Sequence, residues 1–418
     1  MPNPTLEASP LGDMEFWARP EEEREEFFRF LRDEHPVSFH PEPQVENFPR
    51  GPGYWAVVRH ADVVHVSRHP ELFCSGRGGS NIGDVPQEMA EYLGSIINMD
   101  DPRHRQLRNL VSHGFTPREL ERLLDDVKRR ARAVVDAVAP LGACDAVADI
   151  AAPLPLQIIC DMVGVPPSME QTVFEASNVI LGFGDPEYVT GVHDLMGAFH
   201  TLHRLATELG EHRLREPADD LTSILMHAEV DGRRLTVGEF ASFFILLVVA
   251  GNETTRTAIS HGLWALHTHP DQKRLWMERY DELAQNAIEE IVRWATPVIH
   301  FRRTATSDTE IAGQPVAAGE KVVMWYNSAN RDERVFDDPY RFDLTRFPNP
   351  HVAFGGGGPH FCLGANLARR EMRVMFEELF RRLPDLEITE PPVMLRSGFI
   401  HGIKRMPCRF TPRAPERA

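Results

Sequence analysis

Apolar residues recur at three- and four-residue intervals through long stretches of the chain, the spacing that gathers them on one face of a helix. The pattern predicts helices over Glu21 to Asp33, Pro117 to Ala139, Glu187 to Glu216, Thr236 to His267, Leu283 to Ala295 and Gly364 to Leu383. Pro140, Pro217, Pro270 and Pro384 stand just beyond helical stretches, where a residue with no N–H to donate ends a helix. Strand-like runs are fewer. Tyr54 to Val58 and Lys321 to Tyr326 predict strands, Glu310 to Val316 a hairpin turning at Gly313, and Ile403 to Phe410 a terminal hairpin. No linker separates the helical middle from the β-richer end, so one mainly α domain with small β-sheets is expected over residues 1–418. Loose tails are expected at about 1–12 and 411–418.

One helix departs from the amphipathic pattern. Phe240 to Gly251 is apolar all round, which means burial, and as a run it is too short to cross a bilayer. It then turns polar at Asn252-Glu253-Thr254-Thr255-Arg256. An acid and a hydroxyl inside a buried helix are costly unless they serve something. Thr254 can bond back to the carbonyl of Ala250 and loosen the helix, and Gly251 is expected to open space there.

Composition narrows the setting. With 42% apolar residues the chain can bury a large core, and 45 basic against 62 acidic residues leave a net charge of −17, which excludes a basic coat for nucleic acid. The N-terminus shows no basic start followed by an apolar segment. Five scattered cysteines, without a C-x-x-C pair, suit a reducing compartment. A cytoplasmic protein with no transmembrane segment and no nucleic-acid partner is expected.

Four cysteines read as small buried hydrophobes. Cys362 differs: it sits in Phe354-Gly-Gly-Gly-Gly358-Pro-His360-Phe-Cys362-Leu-Gly364, immediately before a helix. The positive end of that helix, and the free N–H groups of Leu363, Gly364 and Ala365, are expected to favour thiolate. Four successive glycines would let the backbone approach something flat and bulky. A lone thiolate in a tight loop suits an axial haem ligand better than zinc or an iron–sulfur cluster.

The loop resembles that of the cytochrome P450 haem-thiolate monooxygenases, F-x-x-G-x-(R/H)-x-C-x-G, filled by Phe354, Gly357, His360, Cys362 and Gly364. Further motifs of the family follow in order, from about Gly53 to Phe410. The resemblance implies the cytochrome P450 fold, haem b bound through Cys362, and oxygen activation, for which a donating sulfur is the suited ligand. Ala250-Gly-Asn-Glu253-Thr254 resembles the A-G-x-(D/E)-T motif, which makes Glu253 and Thr254 the catalytic proton relay; Thr255 stays open as the alternative. Glu290 and Arg293 resemble the E-x-x-R pair, with Arg346 as the third member of a structural triad. His104, Arg108, Arg303, His351 and His360 match positions that hold the haem propionates, with Arg302 the alternative to Arg303; Gly364 completes the cofactor set.

The chain has no room for a fused flavin or iron–sulfur domain, so a separate ferredoxin and its reductase are implied as partners, along with O2. Arg369, Arg370, Arg373, Arg381 and Arg382 are expected to form a positive patch that steers an acidic ferredoxin. Glycines 76, 78, 79 and 83 are expected in a mobile loop over the active site. Glu289 to Pro297, Trp325 to Asp332, Pro348 to His351 and Phe399 to Lys404 resemble the actinobacterial members that hydroxylate the terminal methyl of methyl-branched lipids, isoprenoids or sterol side chains. Val249, Ala250, Val298 and Phe399 are the expected substrate wall. Two alternatives stand beside this reading: a P450 hydroxylase of a terpenoid, steroid ring or polyketide, and a non-catalytic haem-binding sensor.

Overall fold

A capping box opens the longest helix: the Thr236 side chain accepts from the Glu239 N–H while the Glu239 carboxylate bonds back to the Thr236 N–H. From Val237 to Thr268 it runs through the centre of a computed structural model that describes residues 9–42, 50–84, 95–189, 191–230 and 232–416. Helices Val192–Arg215, Pro153–Val163, Glu170–Leu181 and Tyr280–Ala295 pack around it. Their apolar faces form the largest core, which includes Leu202, Ile158, Phe244, Ile259, Ile291 and Phe376. By length and apolarity, Val237–Thr268 and the segment Ala146–Val163 would each suffice to cross a membrane, although the apolar run Phe240 to Gly251 alone is too short. Both are interior helices here, with 61% and 72% of their most apolar stretches buried against protein.

The molecule is mainly α with small sheets. The largest sheet has the order Val37–His40, Tyr54–Val57, Lys321–Trp325, His300–Ala305, Phe73–Cys74. Lys321–Trp325 runs parallel to Tyr54–Val57 and antiparallel to His300–Ala305, with Arg303 opposite Val322. Successive side chains alternate across a strand, so Arg302 and Arg303 face opposite sides.

Three expectations need correction. The stretch Ile403 to Phe410 is not a hairpin: Ile403–Arg405 pairs with Val393–Met394, whereas Pro407–Arg409 pairs with Ala143–Asp145 and Glu387–Ile388. Met406 alone joins the two strands, too few residues for a tight hairpin loop. Its N–H goes to the Asp145 carboxylate at 3.0 Å and its carbonyl accepts from Ala146 at 2.9 Å. The helix expected from Glu187 begins only at Val192, because Asp185 holds the N–H of Glu187 at 3.0 Å and that of Arg396 at 2.9 Å. The described parts of the tails are anchored. Leu11 is buried and its carbonyl accepts from the Trp17 indole at 3.1 Å, while Arg413 donates to Ala139 O at 2.8 Å and Thr411 to Asp385 at 2.9 Å. Residues 1–8 and 417–418 lie outside the described residues.

Candidate functional site

The glycine-rich loop is shaped by a neighbouring helix, His60–Arg68. Gly355, Gly357 and Gly358 have φ of 99°, 93° and 76°, values that favour glycine. A Cβ on Gly358 would lie 2.3 Å from Ser67 O, and one on Gly356 2.9 Å from Ser67 Cβ. Most of the glycine run therefore serves a close approach of backbone to helix rather than to a ligand, which corrects the sequence reading. Gly364 is different, because a Cβ there would meet nothing within 4 Å. The loop closes through Cys362 N–H to Phe354 O at 2.9 Å.

Cys362 has exposed surface although protein surrounds it, so its exposure is to an internal cleft. Burial pushes its thiol up, against the pull of the Gly364 and Ala365 N–H groups and of the Arg108 and Arg369 charges. The expected thiolate preference is thus overruled by desolvation. A sulfur so placed ionises when a further positive charge reaches it, as a bound metal ion supplies.

Basic groups converge beside it. The His104 and His360 rings lie 4.2 Å apart. Burial, then the Arg303 charge and the neighbouring His104 and Arg108, push His360 down to about 2. His104 is buried, its Nδ1 is 3.5 Å from Asp101, and its Nε2 has no partner among the described residues. Arg108 donates to Phe361 O at 2.5 Å. Buried Arg303 donates to Arg302 O at 2.8 Å and has no carboxylate partner among the described residues. Arg302, on the opposite face, pairs with Asp84 at 2.8 Å and donates to Gly78, Ile82 and Gly83 carbonyls. Those bonds, with Ser75 and Gly76 N–H on Asp100 at 2.7 and 2.9 Å, pin the described part of the loop expected to be mobile. His351 does not join the basic set: its Nε2 meets Glu289 at 2.8 Å and its Nδ1 accepts from Ala353 N–H at 3.3 Å.

On the long helix the Thr254 hydroxyl donates to Ala250 O at 2.8 Å. Ala250 is exposed and Leu246, Gly251 and Thr254 half-buried, a stripe at helical spacing that marks the face turned to a cleft; Thr255 is buried. Glu253 points elsewhere. One carboxylate oxygen bonds Arg256, which also donates to Asn178 at 2.8 Å, and the other is buried without a partner among the described residues. Together with Tyr188 and Lys404 these residues line a separate small cleft. Gly251 opens no space, since its Cβ would come within 3.0 Å of Ile159; it lets helix Pro153–Val163 approach. Val298 bridges to Ile400, and Ile299 N–H bonds Phe399 O at 2.8 Å, which brings Val298 and Phe399 side by side. Val249 is buried.

Glu290, Arg293 and Arg346 meet. Fully buried Arg293 donates to both Glu290 oxygens at 2.7 and 2.8 Å, and Arg346 Nε reaches them at 3.1 and 3.3 Å. Further Arg346 bonds go to Asp337, Asp338 and Arg341 carbonyls.

The sequence profile of the Cytochrome P450 family matches residues 187–393. Over 404 residues the chain is 52% identical to the Methyl-branched lipid omega-hydroxylase of Mycobacterium tuberculosis, covering 96% of this chain and 94% of that one. It belongs to the cytochrome P450 family. It is also 43% identical over 381 residues to the Steroid C26-monooxygenase of Rhodococcus jostii, across 90% of this chain and 80% of the other. Among solved structures, a Mycobacterium marinum cytochrome P450 in complex with pseudoionone superposes with a TM-score of 0.93 at 46% identity, covering 98% and 99% of the two chains.

The residues present fit the haem that a cytochrome P450 carries. The enclosed sulfur, in need of positive charge, would suit the haem iron, and His104 Nε2 and Arg303, without a hydrogen-bond and a carboxylate partner respectively among the described residues, would suit the anionic propionates. Sequence reasoning passed over Glu289, treating it only as a competitor of Glu290. Neighbouring helical residues point about 100° apart, so a Glu-Glu doublet can serve two partners, and Glu289 holds His351 and Arg369. The expected basic patch is also corrected. Arg369 pairs with Glu289, Arg370 with Glu121 at 2.9 Å, Arg373 with Asp281 at 3.1 Å, Arg381 with Glu378 at 2.6 Å and Arg382 with Asp136 at 2.9 Å.

Proposed function

We propose that this cytochrome P450 hydroxylates a terminal methyl group of a methyl-branched lipid, isoprenoid or sterol side chain. The observation that carries the reading is the 52% identity, over 96% of the chain, to a methyl-branched lipid omega-hydroxylase. Cys362 would bind the iron of haem b, Gly364 leaves room beside it, and His104, Arg108, Arg303 and His360 would hold the propionates. Haem bound there supplies the activation of O2 that places one oxygen atom in a C–H bond. The protein supplies position and protons. Thr254, tethered to Ala250 O, turns its oxygen lone pairs to the cleft and orders a proton donor there. Glu253, one of whose oxygens has no partner among the described residues, carries protons from the Arg256 side. Val249, Ala250, Val298 and Phe399 wall a passage that admits a chain end-on, so that a primary methyl is presented ahead of weaker secondary C–H bonds. Glu290, Arg293 and Arg346 clamp the segment before the haem loop. Electrons come from a ferredoxin and its reductase, in the cytoplasm.

Titrating branched fatty acids, isoprenoid alcohols and sterol ketones into the ferric holoenzyme tests this reading. Branched chain ends should shift the spin state and be converted to terminal alcohols. Predominant in-chain or ring hydroxylation would overturn it, and Cys362→Ser retaining the red-shifted carbon monoxide band would move the ligand elsewhere.

A further inference from the structure

Two cysteines that stand 264 positions apart in sequence are neighbours in space. Cys144 lies on strand Ala143–Asp145 and Cys408 on strand Pro407–Arg409, directly opposite one another in antiparallel register, with the sulfurs 3.5 Å apart. Backbone bonds from Phe410 N–H to Gly142 O and from Ala146 N–H to Met406 O, each 2.9 Å, lie two residues to either side. They put the pair at a hydrogen-bonded position of the ladder, where facing Cα atoms are about 5.5 Å apart. That separation falls inside the range a disulfide spans. Cys408 is 2% exposed and Cys144 half-buried, so an oxidant enters from the Cys144 side.

The two thiols share a hydrogen bond, which holds the Cys144 proton in place and lowers Cys408. Among the described residues no group of three or more His, Cys, Asp or Glu gathers to hold a metal ion, so metal ligation does not account for the pair. Each cysteine is the middle residue of a three-residue strand, Ala143–Asp145 leading into the segment Ala146–Val163 behind Gly251 and Pro407–Arg409 following Ile403–Arg405. A bond between them would lock the terminal sheet to the core.

We propose that Cys144 and Cys408 are a reversible redox pair, closed to a disulfide by hydrogen peroxide and reopened by a thiol reductant. One sulfur attacks peroxide, breaking the O–O bond, becoming a sulfenic acid and releasing one water. The second sulfur displaces the sulfenic oxygen as another water, so that two thiols and one peroxide give one disulfide and two waters. Reduction by a dithiol returns both protons and both electrons.

Peptide mapping of the holoprotein without reduction, after equimolar peroxide and alkylation, tests the assignment. The expected result is a cross-linked pair of peptides carrying Cys144 and Cys408, two hydrogens lighter than their sum, absent after dithiothreitol and absent from Cys144→Ser and Cys408→Ser. Sulfinic or sulfonic acid on either cysteine without the cross-link would overturn it, as would full alkylation of both thiols after peroxide. The wild-type map decides the matter even where a serine variant fails to fold.

Discussion

Thr254 and Thr255 are chemically identical neighbours, and the sequence alone leaves the choice between them open. The structure separates them by environment: Thr254 is half-buried on the cleft face with its hydroxyl tied to Ala250 O, whereas Thr255 is buried. Thr254→Ala should therefore keep substrate binding but release peroxide in place of alcohol, with product per electron pair falling by about a hundredfold, the scale of a lost proton-transfer group. Thr255→Ala should leave coupling near wild type. Simultaneous assay of reductant, peroxide and alcohol separates the two, and equal coupling in both variants would remove Thr254 from the relay. The same division explains what else was legible. Arg303 could be read from its place in a motif, but its preference over Arg302 depends on strand parity and on Asp84. His351 was read without its partner Glu289, which lies 62 positions away.

Elements were legible where one physical term dominates. The apolar stripe and the prolines mark helix ends to within a few residues. Strand pairing was not legible: Pro407–Arg409 finds its partner at Ala143–Asp145, across most of the chain. Glu289 shows how elements are joined, since its carboxylate links helix Tyr280–Ala295 to His351 and to Arg369 on helix Ala365–Arg382. Burial pushes that carboxyl up, but the His351 and Arg369 bonds and charges outweigh it and bring it from 4.5 down to about 2. A carboxyl lowered by folding stabilises the fold above its unfolded value and loses that contribution as pH falls towards its folded one. The contribution is about 3 kcal/mol at neutral pH, lost between pH 4.5 and about 2. Urea unfolding of the holoenzyme across that range should show wild type losing stability more steeply than Glu289→Gln. Parallel pH profiles would mean that the carboxylate carries no such linkage.

At the scale of the whole molecule, charge sets how an electron donor arrives. Local arginine clusters in the sequence suggested attraction of an acidic ferredoxin, but sequence proximity does not reveal which acids fold against them. The five arginines after the haem loop are matched by Glu289, Glu121, Asp281, Glu378 and Asp136, and the net charge is −17. An ion pair presents a dipole whose field fades quickly, whereas the net charge of the whole protein acts over a Debye length. That length shrinks from about 30 Å at 0.01 M salt to about 8 Å at 0.15 M. An acidic donor approaching this molecule is repelled at long range and meets attraction only where the arginines change partners at contact. Added salt should consequently raise, or leave level, the second-order rate of reduction by an acidic ferredoxin between those two ionic strengths. Stopped-flow reduction under carbon monoxide measures that rate directly. A rate that falls steeply with salt would show that the arginine face attracts at long range despite its acidic partners, and would restore the patch that the sequence suggested.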